Sequence, residues 1–184
     1  MQVILINYFQ RDIVKRIILF LCVLSLSGCA SLPAQEPLKQ TVKFNEAEAK
    51  KMLAVGNNTV YGSAFLKQMG GGVVTCAGET VRLIPATMYA TERMKYFYGP
   101  SVDYSVGVYF GGKSAEDNAS YESNIKTTVC NQNGDFSFDN VADGSFYVST
   151  VVLWKVAHRI QGGGLAQRVN VKSGEKKQVI LTSK

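Results

Sequence analysis

The sequence predicts an all-β fold, a sandwich of two sheets built from about seven short strands. From residue 57 onward, apolar residues alternate with polar ones in short runs, which is the period of a half-buried strand. Turn residues separate these runs, and Asn133-Gly134 is the strongest hairpin signal among them. Two short helices, near residues 46–54 and 87–98, interrupt the pattern.

The first strands are predicted at 59–66, 73–75 and 79–85. In the first of them, Val60 and Ala64 lie on one face, and Tyr61 lies on the other, because successive side chains alternate across a strand.

Both predicted helices have local signals. Asn45 precedes the first, and a glutamate follows three residues later, as in a capping box. The second lacks a helix breaker until Gly99-Pro100, and it opens an insertion that runs to about residue 122.

The last third alternates most clearly. Strands are predicted there at 125–130, 135–139, 145–154, 165–171 and 177–182, with turns at 141–144, 161–164 and 172–175. The segment 145–154 is apolar on both faces near its end, as is typical of a central strand. The predicted core comprises Val60, Ala64, Val81, Leu83, Phe136, Phe138, Val148, Val169, Val171, Val179 and Leu181.

Residues 1–28 have the composition of a secretory signal. Basic residues (Arg11, Lys15 and Arg16) precede the uncharged run 17–26, which is shorter than the roughly 20 residues that a membrane-spanning helix needs. Residues 30–44 contain two prolines and little periodicity, which is typical of a tether. The predicted organisation is a signal over 1–28, a tether and short helix over 29–56, and a sandwich over 57–184.

The stretch Leu26-Ser27-Gly28-Cys29 resembles the lipobox of bacterial lipoproteins. The resemblance implies cleavage before Cys29 and lipid on that residue. Ala30, rather than Asp, follows the cysteine, which by the same resemblance implies anchoring to the outer membrane, with the domain facing the periplasm or the cell surface. The alternative is an ordinary signal peptide that is cut elsewhere.

Two of the four cysteines remain for the mature domain, because Cys22 leaves with the signal and Cys29 takes the lipid. An even pair in an oxidising compartment predicts a disulfide between Cys76 and Cys130. The alternatives are two buried thiols or a redox site, although the Cys-x-x-Cys spacing of redox sites is absent.

The length and net charge of the chain limit the kinds of partner that it can bind. The 156 residues after the predicted signal suffice for one domain with a core, and they carry a net charge of about +4. This mild excess suits contact with anionic envelope polymers, and it is equally typical of a solvated basic surface. No Lys/Arg block of the nucleic-acid-binding type is present.

The segment Asn133-Gly134-x-Phe136-x-Phe138-x-x-Val141-x-x-Gly144, followed by Tyr147, resembles the carboxypeptidase regulatory-like domain. This is a transthyretin-like (prealbumin-like) sandwich. The opening and closing strands also fit, so the resemblance spans roughly residues 57–183. It implies a structural or binding module without peptidase activity.

Catalytic signatures are absent from the sequence. His158 is the sole histidine, and it is predicted to lie on the surface or in a loop. Neither His-Glu-x-x-His nor Gly-x-Ser-x-Gly occurs, and the glycine runs 70–72 and 162–164, predicted to be hairpin turns, lack the residues of a phosphate loop. We therefore expect no enzyme activity, metal or cofactor. The aspartates Asp135, Asp139 and Asp143 are interpreted as turn residues, with a calcium site as the alternative.

Six of the nine tyrosines fall between residues 89 and 121. Because tyrosines offer flat, amphipathic surfaces, the candidate binding surface is Tyr89, Tyr96, Tyr98, Tyr104 and Tyr109. The alternative is that they cover the sandwich. The predicted function is a non-catalytic structural or protein-binding module in the cell envelope, and the alternative is glycan or peptidoglycan binding.

Overall fold

Two β-sheets pack face to face in the computed structural model, which describes residues 36–103, 107–109 (backbone only) and 113–183. The prediction of an all-β sandwich is confirmed. Within this part of the chain the strands are β1 (Val55–Lys67), β2 (Val73–Thr75), β3 (Thr80–Pro85), β4 (Gly107–Tyr109), β5 (Lys126–Val129), β6 (Asp135–Val141), β7 (Gly144–Val156), β8 (Arg159–Val171) and β9 (Lys176–Leu181).

The first sheet is organised around β1. This strand pairs antiparallel with β2 and β6 and parallel with β9. The second sheet has the antiparallel order β4-β8-β7-β3-β5. The helices are α1 (Glu46–Met52), α2 (Met88–Tyr98), α3 (Ala119–Ser123) and a 3₁₀ turn, Pro100–Asp103. Both predicted helices are therefore present, and Asn45 caps α1 by accepting a hydrogen bond from the Glu48 backbone N–H at 3.2 Å.

Every residue of the predicted core is buried between the two sheets. This agreement follows from the period of two, because each strand presents its apolar set to the same side.

The predicted disulfide between Cys76 and Cys130 is present, with Cα atoms 5.8 Å apart. Cys76 follows β2 of one sheet and Cys130 follows β5 of the other. The bond therefore joins the two sheets at one edge, and the alternative of two buried thiols is wrong.

A second apolar cluster covers the outer face of the five-stranded sheet. It contains Ile84 and Tyr147 from the sheet, Tyr89 and Met94 from α2, and Tyr121 from α3. Strands β3 and β7 are therefore covered on both faces, which explains why 145–154 is apolar on both sides. The insertion between β3 and β5 is the layer that covers them.

The predicted boundary at residue 57 falls inside β1, which begins at Val55. The described part of the predicted tether also contacts the sandwich. The Glu92 carboxylate accepts hydrogen bonds from the backbone N–H groups of Thr41 and Val42 and from the Thr41 hydroxyl. Residues from Glu36 onward therefore belong to the domain, because α2 supplies polar and aromatic partners for them.

The prediction of a hairpin turn over residues 161–164 is wrong. Strand β8 begins at Arg159, and the turn is Ala157-His158. Gly162 lies opposite Leu153, with φ +102°, and a Cβ there would overlap the Val152 carbonyl oxygen. Gly162 therefore allows close approach of β7 and β8, and the run 162–164 lies within β8 rather than in a reversal of the chain.

Gly62 has a comparable role in β1, because a Cβ there would overlap the carbonyl oxygen of Val179 in β9. We expect Gly62→Ala to lower the free energy of unfolding by at least about 3 kcal/mol, since two backbones must separate. Gly70→Ala is the control, because Gly70 has open space around it and the change should be within about 0.5 kcal/mol. Chemical denaturation measures both, and equal values would contradict this account of Gly62.

Asp103 joins the 3₁₀ turn to the five-stranded sheet. Its carboxylate accepts a hydrogen bond from the Tyr147 hydroxyl at 2.9 Å and lies 3.2 Å from Lys95 and 3.3 Å from Arg168. Desolvation by burial raises the pKa of Asp103, but the Tyr147 and Lys95 hydrogen bonds and the two cationic charges outweigh it. The net result is a pKa below the ordinary value of an aspartate.

A lowered pKa means that the Asp103 carboxylate stabilises the fold above the unfolded pKa of about 4, and that this contribution disappears as the pH falls through the folded pKa. We expect Asp103→Asn to destabilise the protein by about 2 kcal/mol at pH 7. The difference from wild type should shrink on acidification to about pH 3. Thermal unfolding at both pH values, with the exposed Asp117→Asn as control, measures this; a difference that does not depend on pH would contradict it.

Candidate functional site

The outer face of the four-stranded sheet is exposed, and Tyr61 lies at its centre. Strand register places Tyr61 opposite Ser137 on β6 and opposite Gln178 on β9. All three side chains are exposed, and 39% of Tyr61 is accessible. One aromatic ring thus lies between a hydroxyl and an amide, on strands spaced about 4.8 Å apart.

Tyr61, Ser137 and Gln178 form one row of side chains across the three strands, and a further row of polar side chains lies on each side of it. Thr59 pairs with Lys176 on β9, and its hydroxyl donates a hydrogen bond to the Asp139 carboxylate of β6 at 3.1 Å. On the other side, Ser63 pairs with Asp135 on β6. Alternation along each strand places these polar side chains on the same face as Tyr61, because they are two residues away from the Tyr61 row.

This face forms the floor of an open groove of about 880 Å³, which we call the sheet groove. Its wall comes from the other sheet, through Thr128 and Val129 of β5 and through Asn131. The Asn131 side-chain oxygen accepts hydrogen bonds from the backbone N–H groups of Asn133 and Asp135, both at 2.9 Å. The turn that leads into β6 is therefore held by the Asn131 side chain.

The sheet groove contains two carboxylates, Asp135 and Asp139, and one ammonium group, Lys176. Lys126 lies near, and it donates to the Asp139 backbone carbonyl at 2.6 Å. Two acidic and two basic groups therefore lie in or beside the groove, so its local charge is close to zero although the whole chain is basic.

Chemically, this surface combines a flat aromatic ring with hydroxyl, amide and carboxylate groups on both sides of it. Such a set suits a ligand that has an apolar ring face and several hydroxyl groups at its edge, because the ring face packs on the tyrosine while the hydroxyls find acceptors.

Tyr89 does not belong to an exposed surface, which corrects the prediction for that residue. It is 4% accessible, and its ring centroid lies 5.4 Å from that of Phe44 and 5.1 Å from that of Tyr121. Burial raises the pKa of Tyr121, as expected for a phenol in an apolar cluster. Tyr89 and Tyr121 cover the sandwich, as the alternative interpretation expected.

The other predicted tyrosines are not brought into the sheet groove. Tyr96 and Tyr98 are half-buried on α2, the Tyr96 hydroxyl donates to the Glu36 carbonyl, and the Lys113 ammonium lies 5.3 Å from the Tyr96 ring centroid. Tyr104 and the side chain of Tyr109 lie outside the described residues. The prediction that these four tyrosines bind a partner stays a prediction.

The aspartates occupy separate positions. Asp143 accepts hydrogen bonds from the Asn58 side chain and from the Ser173 backbone N–H, which lower its pKa in that order. Asp135 and Asp139 line the groove. Among the described residues, no three His, Cys, Asp or Glu side chains cluster as metal ligands would. His158 is exposed in the β7–β8 turn, as predicted.

The predicted lipidation site, Cys29, lies outside the described residues. Over the residues that are described, no helix has the length and apolar character needed to cross a membrane.

Tyr61 is a candidate site residue that the sequence analysis does not identify. The sequence does show that Tyr61 alternates with Val60 and therefore lies on the face away from the core. The sequence does not show that β1 pairs with both β6 and β9, and this pairing surrounds the Tyr61 ring with polar side chains.

No protein-family model matches the chain, and no curated protein matches it. In structure the chain is similar to a protein from Pseudomonas aeruginosa whose crystal structure is described as that of "a putative carbohydrate binding protein". The two are 22% identical, with a TM-score of 0.61 over 77% of this chain and 99% of the other. At this identity the likeness shows the fold.

Proposed function

We propose that this protein is a glycan-binding module of the bacterial cell envelope and that its site is the sheet groove. The observation that carries the proposal is the exposed Tyr61 ring, flanked across the sheet by Ser137 and Gln178. The description of the structurally similar protein agrees with this proposal, but the proposal rests on the groove.

The charges favour a neutral or amino-sugar glycan over a sulfated or phosphorylated one. Asp135 and Asp139 can accept hydrogen bonds from sugar hydroxyls or ammonium groups, and together they repel anionic substituents. Lys176 and the neighbouring Lys126 offset these charges, so the groove offers no net positive charge to an anionic glycan.

The spacing of the carboxylates favours binding over hydrolysis. Asp135 and Asp139 are four residues apart on β6, so their Cα atoms are separated by about 13 Å. Glycosidases hold their two carboxyl groups about 5–9.5 Å apart across the scissile bond. A non-catalytic role is therefore part of the proposal.

The lipobox-like stretch supports a membrane anchor at Cys29. Seven residues lead from Cys29 to Glu36, which is hydrogen-bonded to α2 through Tyr96. An extended chain of seven residues spans at most about 25 Å. A lipid at Cys29 would thus keep the sandwich close to the membrane surface, within reach of envelope polysaccharides.

Residues Gln35–Lys184 form one compact unit with its own core, so this part can be produced alone in an oxidising compartment. Its binding to purified peptidoglycan and to neutral and sulfated polysaccharides can be measured by co-sedimentation and calorimetry. We expect binding to at least one neutral glycan or to peptidoglycan, and weakening by about tenfold in Tyr61→Ala because a stacked ring is lost.

Tyr96→Ala is the matched control, since it removes a tyrosine from the predicted surface on α2. If Tyr61→Ala binds glycan as the wild type does and Tyr96→Ala loses glycan binding, the binding site lies in the insertion and not in the sheet groove. Absence of binding to every glycan, combined with capture of an envelope protein that depends on Tyr96, would support the structural or protein-binding module instead.

A further inference from the structure

One end of the sandwich carries two hairpin turns side by side. Residues 67–73 connect β1 to β2, and residues 153–162 form the end of the β7–β8 hairpin. Both segments line one open cleft of about 540 Å³, with Met69 on one side and Trp154 and Ile160 on the other. We call these two segments together the hairpin tip.

The hairpin tip exposes large apolar side chains. Met69 is fully exposed, and 74% of Ile160 is accessible. Val73, Leu153 and Val156 are also exposed. Large apolar groups gathered at one end of a domain mark a contact surface, whereas single exposed ones do not.

The charged residues of the hairpin tip are all basic: Lys67, Lys155 and Arg159. Cross-strand register places Lys155 opposite Ile160, and Arg159 opposite Val156. No acidic residue occurs in the sequence over 49–78 or over 144–174. Among the described residues, none of the three cations forms an ion pair, so their charge is directed at solvent.

Alternation of apolar side chains with cations matches the chemistry of a bilayer surface that contains anionic lipids. The apolar side chains can enter the acyl boundary, while Lys and Arg keep their charged ends at the phosphates. Trp154, half-buried at the base of the tip, is a residue type that concentrates at such interfaces.

We propose that the hairpin tip docks on an anionic lipid bilayer. The inference is independent of the sheet groove, and it does not require the lipid on Cys29, although an anchor there would hold the bilayer within reach. Docking at the tip would leave the sheet groove, on an outer face of the sandwich, open to a glycan.

The test uses unlipidated Gln35–Lys184 with vesicles of phosphatidylcholine alone, or of phosphatidylcholine and phosphatidylglycerol in equal parts. Trp154 is the sole tryptophan, so its emission reports directly on the tip. We expect co-flotation with the anionic vesicles, a blue shift of the Trp154 emission, and release in high salt because exposed charges are screened.

The variant Met69→Glu/Ile160→Glu should reduce the vesicle-bound fraction at least about tenfold, since it removes apolar contact and adds anionic charge. Val55→Glu/Met88→Glu makes the same chemical change at two exposed positions outside the tip and should bind as wild type does. Equal loss of vesicle binding in both variants would overturn the proposal, and so would the absence of flotation of the wild type. The proposal would also be overturned if the wild type binds no vesicles and forms a dimer that Met69→Glu/Ile160→Glu dissociates. Glycan binding by the tip variant should persist, which separates this test from that of the sheet groove.

Discussion

Removal of the Cys76–Cys130 disulfide is expected to lower the free energy of unfolding by about 4 kcal/mol. The bond closes a loop with a sequence separation of 54, and the chain-entropy model assigns this amount to such a loop. For a domain of this length, the midpoint of thermal unfolding should fall by about 10 °C. Calorimetry of Cys76→Ala/Cys130→Ala against the oxidised wild type measures the shift.

The reduced wild type is the matched control for this variant. It should unfold near the variant's midpoint, and reductant should leave the variant unchanged. A midpoint that is insensitive both to reductant and to the double substitution would show that the two sheets hold together without this covalent link.

Replacement of Asn58 by alanine is expected to lower the free energy of unfolding by about 3 kcal/mol. Asn58 is fully buried, and its amide donates to the Val141 carbonyl at 2.9 Å and to the Asp143 carboxylate at 2.8 Å. Its side-chain oxygen accepts from the Glu175 backbone N–H at 2.8 Å. Alanine would leave these groups without the partner that satisfies them.

Asn57→Ala provides the control, because the neighbouring side chain is exposed and the same amide is removed. We expect a change within about 0.5 kcal/mol for this variant. Urea denaturation of both proteins measures the contrast, and similar losses in Asn57→Ala and Asn58→Ala would contradict the role of the buried network.

Asn58 also shows why strand boundaries were harder to predict than strands. A Gly-Asn-Asn sequence is typical of a turn, and the first strand was therefore predicted to begin at Thr59. In the structure β1 begins at Val55 and is irregular near Asn58, where the register with β6 shifts. Distant partners at Val141, Asp143 and Glu175 satisfy the asparagine, and no local pattern encodes them.

The core was predictable because it depends on alternation alone. Phe136 and Phe138 are two residues apart on a strand, so they must share a face, and both are buried. The glycine run 162–164 was not predictable by the same means, because glycine serves both turns and close backbone approach. Only the pairing of β8 with β7 distinguishes the two uses.

The burial of Tyr89 could not be predicted, for a related reason. Tyrosines concentrated in the insertion indicated a surface there, but Phe44, distant in sequence, joins Tyr89 and Tyr121 in an apolar cluster. Tyr61 lies outside the segment in which the tyrosines are concentrated. Its polar neighbours come from β6 and β9, more than 70 residues away in sequence.

The central claim is that the sheet groove binds a glycan. Nuclear magnetic resonance of ¹⁵N-labelled Gln35–Lys184, titrated with a soluble oligosaccharide of the glycan that binds, tests it most directly. We predict amide shifts that concentrate in Thr59–Ser63, Asp135–Asp139 and Lys176–Ile180, and we predict that Tyr61→Ala needs about tenfold more ligand to produce them. Shifts confined to the insertion between residues 86 and 122, with these three segments unchanged, would contradict the claim.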